Sequence, residues 1–195
     1  YLDDLANYWK SSIVIGSGNE GAAATHTAGA LGMGQAENVE FAVSAYESAL
    51  NLQIWKSYAD IFSIRMTHPS GKTVGIIRQL QGPQRFTIEG TQVLLYFGEP
   101  SPFSPFQEIY FDFLPVENYI DSGIYKITLI PEKIVTGAYN MWLPSLAVIG
   151  EATGFLYPTE ETTLTIPSTA YKVISVGAYD ARYNQVAAFS GRGFT

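Results

Sequence analysis

The sequence predicts a mainly β chain with a partial α/β element: an antiparallel β-sandwich over about 37–148, inserted between two stretches, 1–36 and 149–195, of a second domain. Three observations carry this. Short runs rich in β-branched and aromatic residues recur between turn signals through the middle of the chain. The two ends have a different composition, with glycine-broken apolar runs such as "IVIGSGNEG" and "VISVGAYD". A chain that is 47% hydrophobic and 15% charged also has enough apolar surface to build a real core.

At the start, "LDDLANYWKSS" puts Leu2, Leu5, Ala6 and Trp9 on one helical stripe, with Asp3 and Asp4 near the positive end of the helix dipole. A short helix then leads into a strand at Ile13. From Gly16 to Gly34 the residues are mainly Gly, Ala and Thr without periodicity, which reads as loop.

The central stretch reads as a series of strands: "VEFAV", "LNLQIWK", "IFSIRMT", "TVGIIRQ", "RFTIEG", "QVLLYFG", "EIYFDFL", "GIYKITLI" and "YNMWLP". In "IFSIRMT", strict alternation sends Phe62, Ile64 and Met66 one way and Ile61, Ser63 and Arg65 the other, before the turn "HPSGK". This number of short strands suits a jelly-roll-like sandwich better than a small barrel. "EPSPFSPFQE" joins two strand signals and reads as a stiff loop rather than a polyproline ligand. The tail carries two further strand-like runs, 173–179 and 185–189, joined by the polar turn "DARYN".

Charge and composition exclude several functions. A net charge of −7, with 11 Lys and Arg scattered singly, gives no basic cluster to displace counterions from a nucleic acid. With no cysteine there is no disulfide framework and no thiolate metal site. No apolar run is long enough for a membrane segment, and no targeting signal is present to fix localisation. No run has the alternating Asp and Asn spacing of a calcium loop, so no metal and no cofactor are expected. The N-terminus, which lacks methionine, reads as the start of an excised piece of a longer protein.

Taken alone, "GNEG" is a tight loop after a strand. Taken with "IPSTAYKVISVGAYDARYNQVAAFSGRG" downstream, "VIGSGNEG" resembles the subtilisin-like serine protease (subtilase) family. In that family an oxyanion-hole segment reads approximately AAGNEG, and a later one P-x-VI-x-VGA-x-D, a polar turn and FS-x-x-G. The order agrees, and the resemblance covers roughly the first thirty and last thirty-five residues. It is to the bacterial branch, many members clostridial, with a jelly-roll insertion at this point.

The resemblance implies that Asn19 is the oxyanion-hole asparagine, and that Ile15, Gly16, Ser17 and Gly18 line one wall of the pocket for the residue before the cut. It implies a serine endopeptidase acting on peptide or protein substrates, secreted or spore-associated. The family's catalytic Asp and His precede the asparagine and its serine follows a segment like "SGRG"; none of the three is in this chain, so the fragment alone is expected to be inactive. Such a fragment would expose apolar strand edges and is expected to self-associate. The alternative is a β-sandwich that binds peptide or glycan in a catalytically dead protein. Its aromatic residues could form a carbohydrate-binding face, with core packing the expected use of most of them.

His26, in the Gly and Ala rich stretch, and His68, in "HPSG", are expected to be surface or loop histidines, since no orienting partner is apparent. The adjacent carboxylates Asp3 and Asp4, and Glu160 and Glu161, are expected on solvated faces rather than as an acid/base pair.

Overall fold

A computed structural model of the chain describes residues 1–193. The elements run α1 (Leu2–Trp9), β1 (Ile13–Gly16), β2 (His26–Ala30), β3 (Glu37–Val43), β4 (Leu50–Ser57), β5 (Ile61–Thr67), β6 (Thr73–Ile77), β7 (Gln84–Ile88), β8 (Thr91–Phe97), β9 (Phe106–Pro115), β10 (Gly123–Lys133), β11 (Ala138–Trp142), β12 (Gly154–Phe155), β13 (Val173–Val176), β14 (Tyr179–Asp180) and β15 (Gln185–Val186). The fold is mainly β, and every strand pair except β1 with β13 is antiparallel.

The chain forms two compact units. One is Thr25–Pro158; the other combines Tyr1–Ala24 with the stretch from Thr159 onward. These divisions fall outside the expected 36/37 and 148/149. The reason is local: β2 pairs along its length with β11, and β12 pairs with β3, so both stretches belong to the sandwich. The Gly, Ala and Thr stretch read as loop therefore contains a strand. Its small residues, Ala28, Gly29 and Ala30, carry no apolar alternation, and its pairing comes from β11.

The central unit consists of a five-stranded sheet, β12-β3-β10-β5-β6, and a six-stranded sheet, β2-β11-β4-β9-β8-β7. All nine runs expected as strands are strands β3 to β11. Alternation decides which residues enter the core. Leu50, Leu52 and Ile54 of β4, with Ile109, Phe111 and Phe113 of β9, are buried from one sheet, and Phe62, Ile64 and Met66 of β5 from the other. Ser63, on the opposite face from these three, is buried as well. Aromatic rings join the sheets: Phe41 of β3 stacks on Tyr125 of β10 at 5.5 Å, and both meet Phe113 of β9 edge to face at 5.9 and 5.5 Å. The unit's two ends also meet, because Thr27 Oγ1 donates to the Tyr157 carbonyl at 2.8 Å.

Buried polar groups pin the loops of this unit. Asp60 Oδ1 accepts the N–H groups of Val135 and Thr136 at 2.5 and 3.0 Å, while Oδ2 accepts Thr136 Oγ1 and Gly137 N–H at 2.8 and 2.9 Å. Burial pushes the Asp60 carboxyl up, but these donors outweigh it and hold the group below the usual carboxylate range. Lys56 occupies an inward position of β4. Its Nζ donates to the carbonyls of Asp60 and Ser57 at 2.6 and 3.1 Å and lies 5.4 Å from the centre of the Phe62 ring. Burial pushes the Lys56 amine down to about 8, with the Asp60 charge opposing.

In the other unit, β1 and β13 pair in parallel, Ile13 opposite Val173 through Gly16 opposite Val176. α1 buries Ala6 and half-buries Leu2 and Leu5, while Trp9, the fourth residue of its apolar stripe, is exposed. β14 and β15 form a short hairpin. The two tail runs are thus shorter than expected, and neither continues through its whole apolar stretch. Val14 and Ile174 are 62% and 54% exposed, the apolar surface expected of a partial sheet, although both strands read as the continuous apolar runs of doubly covered ones.

Candidate functional site

The loop after β1 is held by four backbone bonds. Ser17 N–H donates to the Val176 carbonyl at 3.0 Å, extending the parallel pairing, and the Ser17 carbonyl accepts Thr165 N–H at 3.2 Å. Gly191 N–H donates to the Gly18 carbonyl, and Gly21 N–H to the Phe189 carbonyl, both at 3.0 Å. Below them the buried Ser17 and Ser190 hydroxyls lie 3.1 Å apart, and Ser190 Oγ also accepts Ala178 N–H at 3.0 Å. "GSGNEG" and "AFSGRG" are therefore two halves of one structure.

Two glycines are required by this packing. Gly18 has φ +94°, and a Cβ there would lie 2.2 Å from Thr165 Oγ1. At Gly21 a Cβ would lie 2.0 Å from the Ser190 carbonyl oxygen, a backbone atom that cannot turn aside.

Asn19 stands between these fixed points. Its side chain is exposed and makes no hydrogen bond among the described residues. A primary amide donor is thus displayed at the carboxyl end of a strand on a backbone that is already ordered. Of the wall residues, Gly16 is exposed, Ile15 and Gly18 are half-buried, and Ser17 is buried with its hydroxyl on Ser190. Ser17 can shape a pocket wall only through its backbone.

Both histidines are buried; His68 keeps the expected turn position, whereas His26 lies on a strand. His26 is 1% exposed and sits on β2; its ring stacks on Trp142 at 4.8 Å, and Nε2 lies 3.0 Å from Asn140 Oδ1. His68 is 4% exposed. Its Nε2–H donates to Asp121 Oδ2 at 3.0 Å, and Nδ1 lies 2.9 Å from Ser70 Oγ. This Ser70, His68 and Asp121 row has the residue types of a hydrolytic triad but not its chemistry. Ser70 N–H also donates to Nδ1, at 3.1 Å, so the lone pair a general base would use already holds the turn. Asp121 Oδ2 in turn accepts Gly90 N–H and Thr91 Oγ1, which makes the group a cross-brace of the sandwich. Turn position hid its partners, since Asp121 is distant in sequence.

The carboxylate pairs divide as well. Asp3 accepts Lys172 N–H at 2.6 Å, Asp4 is exposed, and Glu160 pairs with Arg192. Neither pair converges on a common point. No group of three or more His, Asp or Glu gathers among the described residues in a way that could hold a metal ion. No helix among them is long and apolar enough to cross a membrane.

No protein-family model matches the chain, and no curated protein matches it. Among solved structures, the CspB protease of Clostridium perfringens is similar, with a TM-score of 0.88 and 30% sequence identity over 95% of this chain. The chain spans 38% of that protease's length. This likeness corrects the family assignment drawn from "GNEG" and "VISVGAYD": in the absence of any matching family model, subtilase membership does not stand. The finding is a protease-related fold, shared with part of one clostridial enzyme.

Proposed function

We propose that this chain is part of a serine endopeptidase that hydrolyses peptide bonds, and that Asn19 is its oxyanion donor. The carrying observation is the exposed, unpaired Asn19 amide on a loop pinned at residues 17, 18 and 21. As the scissile carbonyl becomes tetrahedral, negative charge develops on its oxygen. A donor already fixed in place stabilises that charge without reorganising, and one such donor is worth on the order of 3 kcal/mol. Ile15, Gly16 and Gly18 would lie along the substrate backbone beside it, with Ser17 supporting them from beneath.

The likeness to a protease supports the reading, since that enzyme is longer than the matched segment. The nucleophilic serine and its histidine base are assigned to the remainder of the protein. The chain alone supplies orientation and charge stabilisation, not the attacking group.

The test uses the intact protein. A fluorophosphonate should label one serine, and Asn19→Ala should lower kcat by roughly 100-fold to 1000-fold with little change in KM, because the donor acts on the transition state. Absence of labelling, or a rise in KM with kcat intact, would overturn the assignment.

A further inference from the structure

The outward face of the six-stranded sheet is unlike an ordinary solvated face. Alternation directs Asn140 and Trp142 of β11, Gln53 and Trp55 of β4, and Glu108 and Tyr110 of β9 away from the core. Register then arranges them in rows. Trp142, Gln53, Tyr110 and Tyr96 lie across four adjacent strands, and Asn140, Trp55 and Glu108 form the next row. Over β11, β4 and β9, aromatic rings and hydrogen-bonding side chains thus alternate in both directions. A groove of about 380 Å³ lies over β11 and β4, lined by both tryptophans, both amides, Phe106 and Ala138.

Two features show that this groove is ordered before any ligand arrives. The Trp142 ring is backed by the buried His26 ring at 4.8 Å. Asn140 Oδ1 can only accept, so the 3.0 Å contact requires His26 to donate from Nε2. That bond sets the amide's orientation and leaves its NH2 group for a ligand in the groove.

We propose that this groove binds a linear, neutral, β-linked glycan. An aromatic face carries negative electrostatic potential and packs against the weakly positive C–H groups on the flat side of a pyranose ring. Each sugar hydroxyl both donates and accepts, as amides do, and a carboxylate such as Glu108 accepts. Strands are about 4.8 Å apart, so Trp142 and Tyr110 stand about 10 Å apart, and the aromatic row continues to Tyr96, a path suited to consecutive sugars.

Charge decides against other ligands. Glu108 and Asp112 lie on this face, and Arg85 stands on the far edge strand, three strands from Trp55, so an anionic polymer meets repulsion at the groove. An extended peptide would add to a sheet edge through its backbone, whereas this groove covers β4, an interior strand.

The test is titration of the intact protein with cellohexaose and with chitohexaose, followed by tryptophan fluorescence and calorimetry. At least one hexasaccharide should bind and shift the emission; which of the two binds reports whether the ring substituent is hydroxyl or acetamido. Trp55→Ala and Trp142→Ala should each weaken binding by roughly tenfold or more. Gln53→Ala, which leaves the packed face of β4 untouched, should weaken it several-fold. Asn19→Ala should leave it unchanged, so this result is independent of peptidase activity. Failure of both sugars to bind, binding insensitive to all three groove variants, or tighter binding of polygalacturonate or a proline-rich peptide would overturn the proposal.

Discussion

The hydroxyls of Ser17 and Ser190 lie 3.1 Å apart and buried, tying together positions 173 residues distant in sequence. Through this contact the loop that carries Asn19 depends on the tail of the chain.

Ser190→Ala should therefore act on the loop as well as on stability. It removes the partner of Ser17 Oγ and the acceptor of Ala178 N–H, at a cost of about 1–2 kcal/mol. On the role proposed for Asn19, kcat of the intact protein should fall with KM nearly unchanged, because a loosened donor would lose more transition-state than ground-state binding. Steady-state kinetics beside a urea titration checks both parts.

Gly21→Ala should be more disruptive than Ser190→Ala. Its Cβ would sit 2.0 Å from a backbone oxygen, so the two halves of the loop must separate. Amide hydrogen exchange should show loss of protection at position 21 and at Gly191, whose N–H groups close that structure.

Acid should weaken the sandwich through Asp60 and Glu47. Burial raises the Glu47 carboxyl, but Thr153 Oγ1 at 2.5 Å, Gly150 N–H at 2.8 Å and Ser44 Oγ at 2.9 Å outweigh it, so both carboxyls lie below their ordinary values. A depressed folded-state value means that the unfolded chain takes up protons first as pH falls. The stabilisation is complete above the ordinary carboxylate range, near pH 4, and is lost below it. Asp60→Ala should cost on the order of 3 kcal/mol at pH 7, since it leaves four donors unmatched. Its urea midpoint should fall less steeply than that of the unsubstituted chain between pH 5 and pH 3, roughly the range in which carboxylates titrate.

Alkali should reveal Lys56, whose depressed value also makes stability rise with pH, in a higher window. Between about pH 8 and its ordinary value near 10.5, the folded state holds fewer protons at Lys56 than the unfolded state does. Stability from this group alone rises with pH across that window. Lys56→Met should abolish the rise, measured as the difference in midpoint between the two proteins from pH 8 to pH 10. Above about pH 10 the sign reverses: burial lifts the Tyr125 hydroxyl to about 12, so the unfolded chain loses that proton first.

The chain produced by itself should hydrolyse no peptide and take no fluorophosphonate label. Serine-dependent turnover by it would remove the assignment of the nucleophile to the rest of the protein.

Strands β3 to β11 were legible as β-rich runs between turns, and most bury one face, which writes alternation into the sequence; "LNLQIWK" is the clearest case, while β6 shows none. β2 and β12 were not. "HTAGA" carries small residues at an edge whose pairing comes from β11, and a two-residue strand has no period to detect. Asn19 was singled out from the glycines around it, but nothing local revealed that Ser190 supports its loop.

By itself, the sequence determined a mainly β chain, the positions of nine sandwich strands, the absence of cysteine chemistry and the residues of the Asn19 loop. Local spacing suffices for these, because strand alternation and glycine backbone freedom act over a few residues. Tertiary structure decided the unit boundaries, the burial of both histidines, the Asp60 and Glu47 anchors and the rows that bring Trp142 beside Gln53 and Trp55 beside Asn140. Those features depend on which strands become neighbours. Register between distant segments is settled by the packing of the whole core, so no single stretch of sequence contains it.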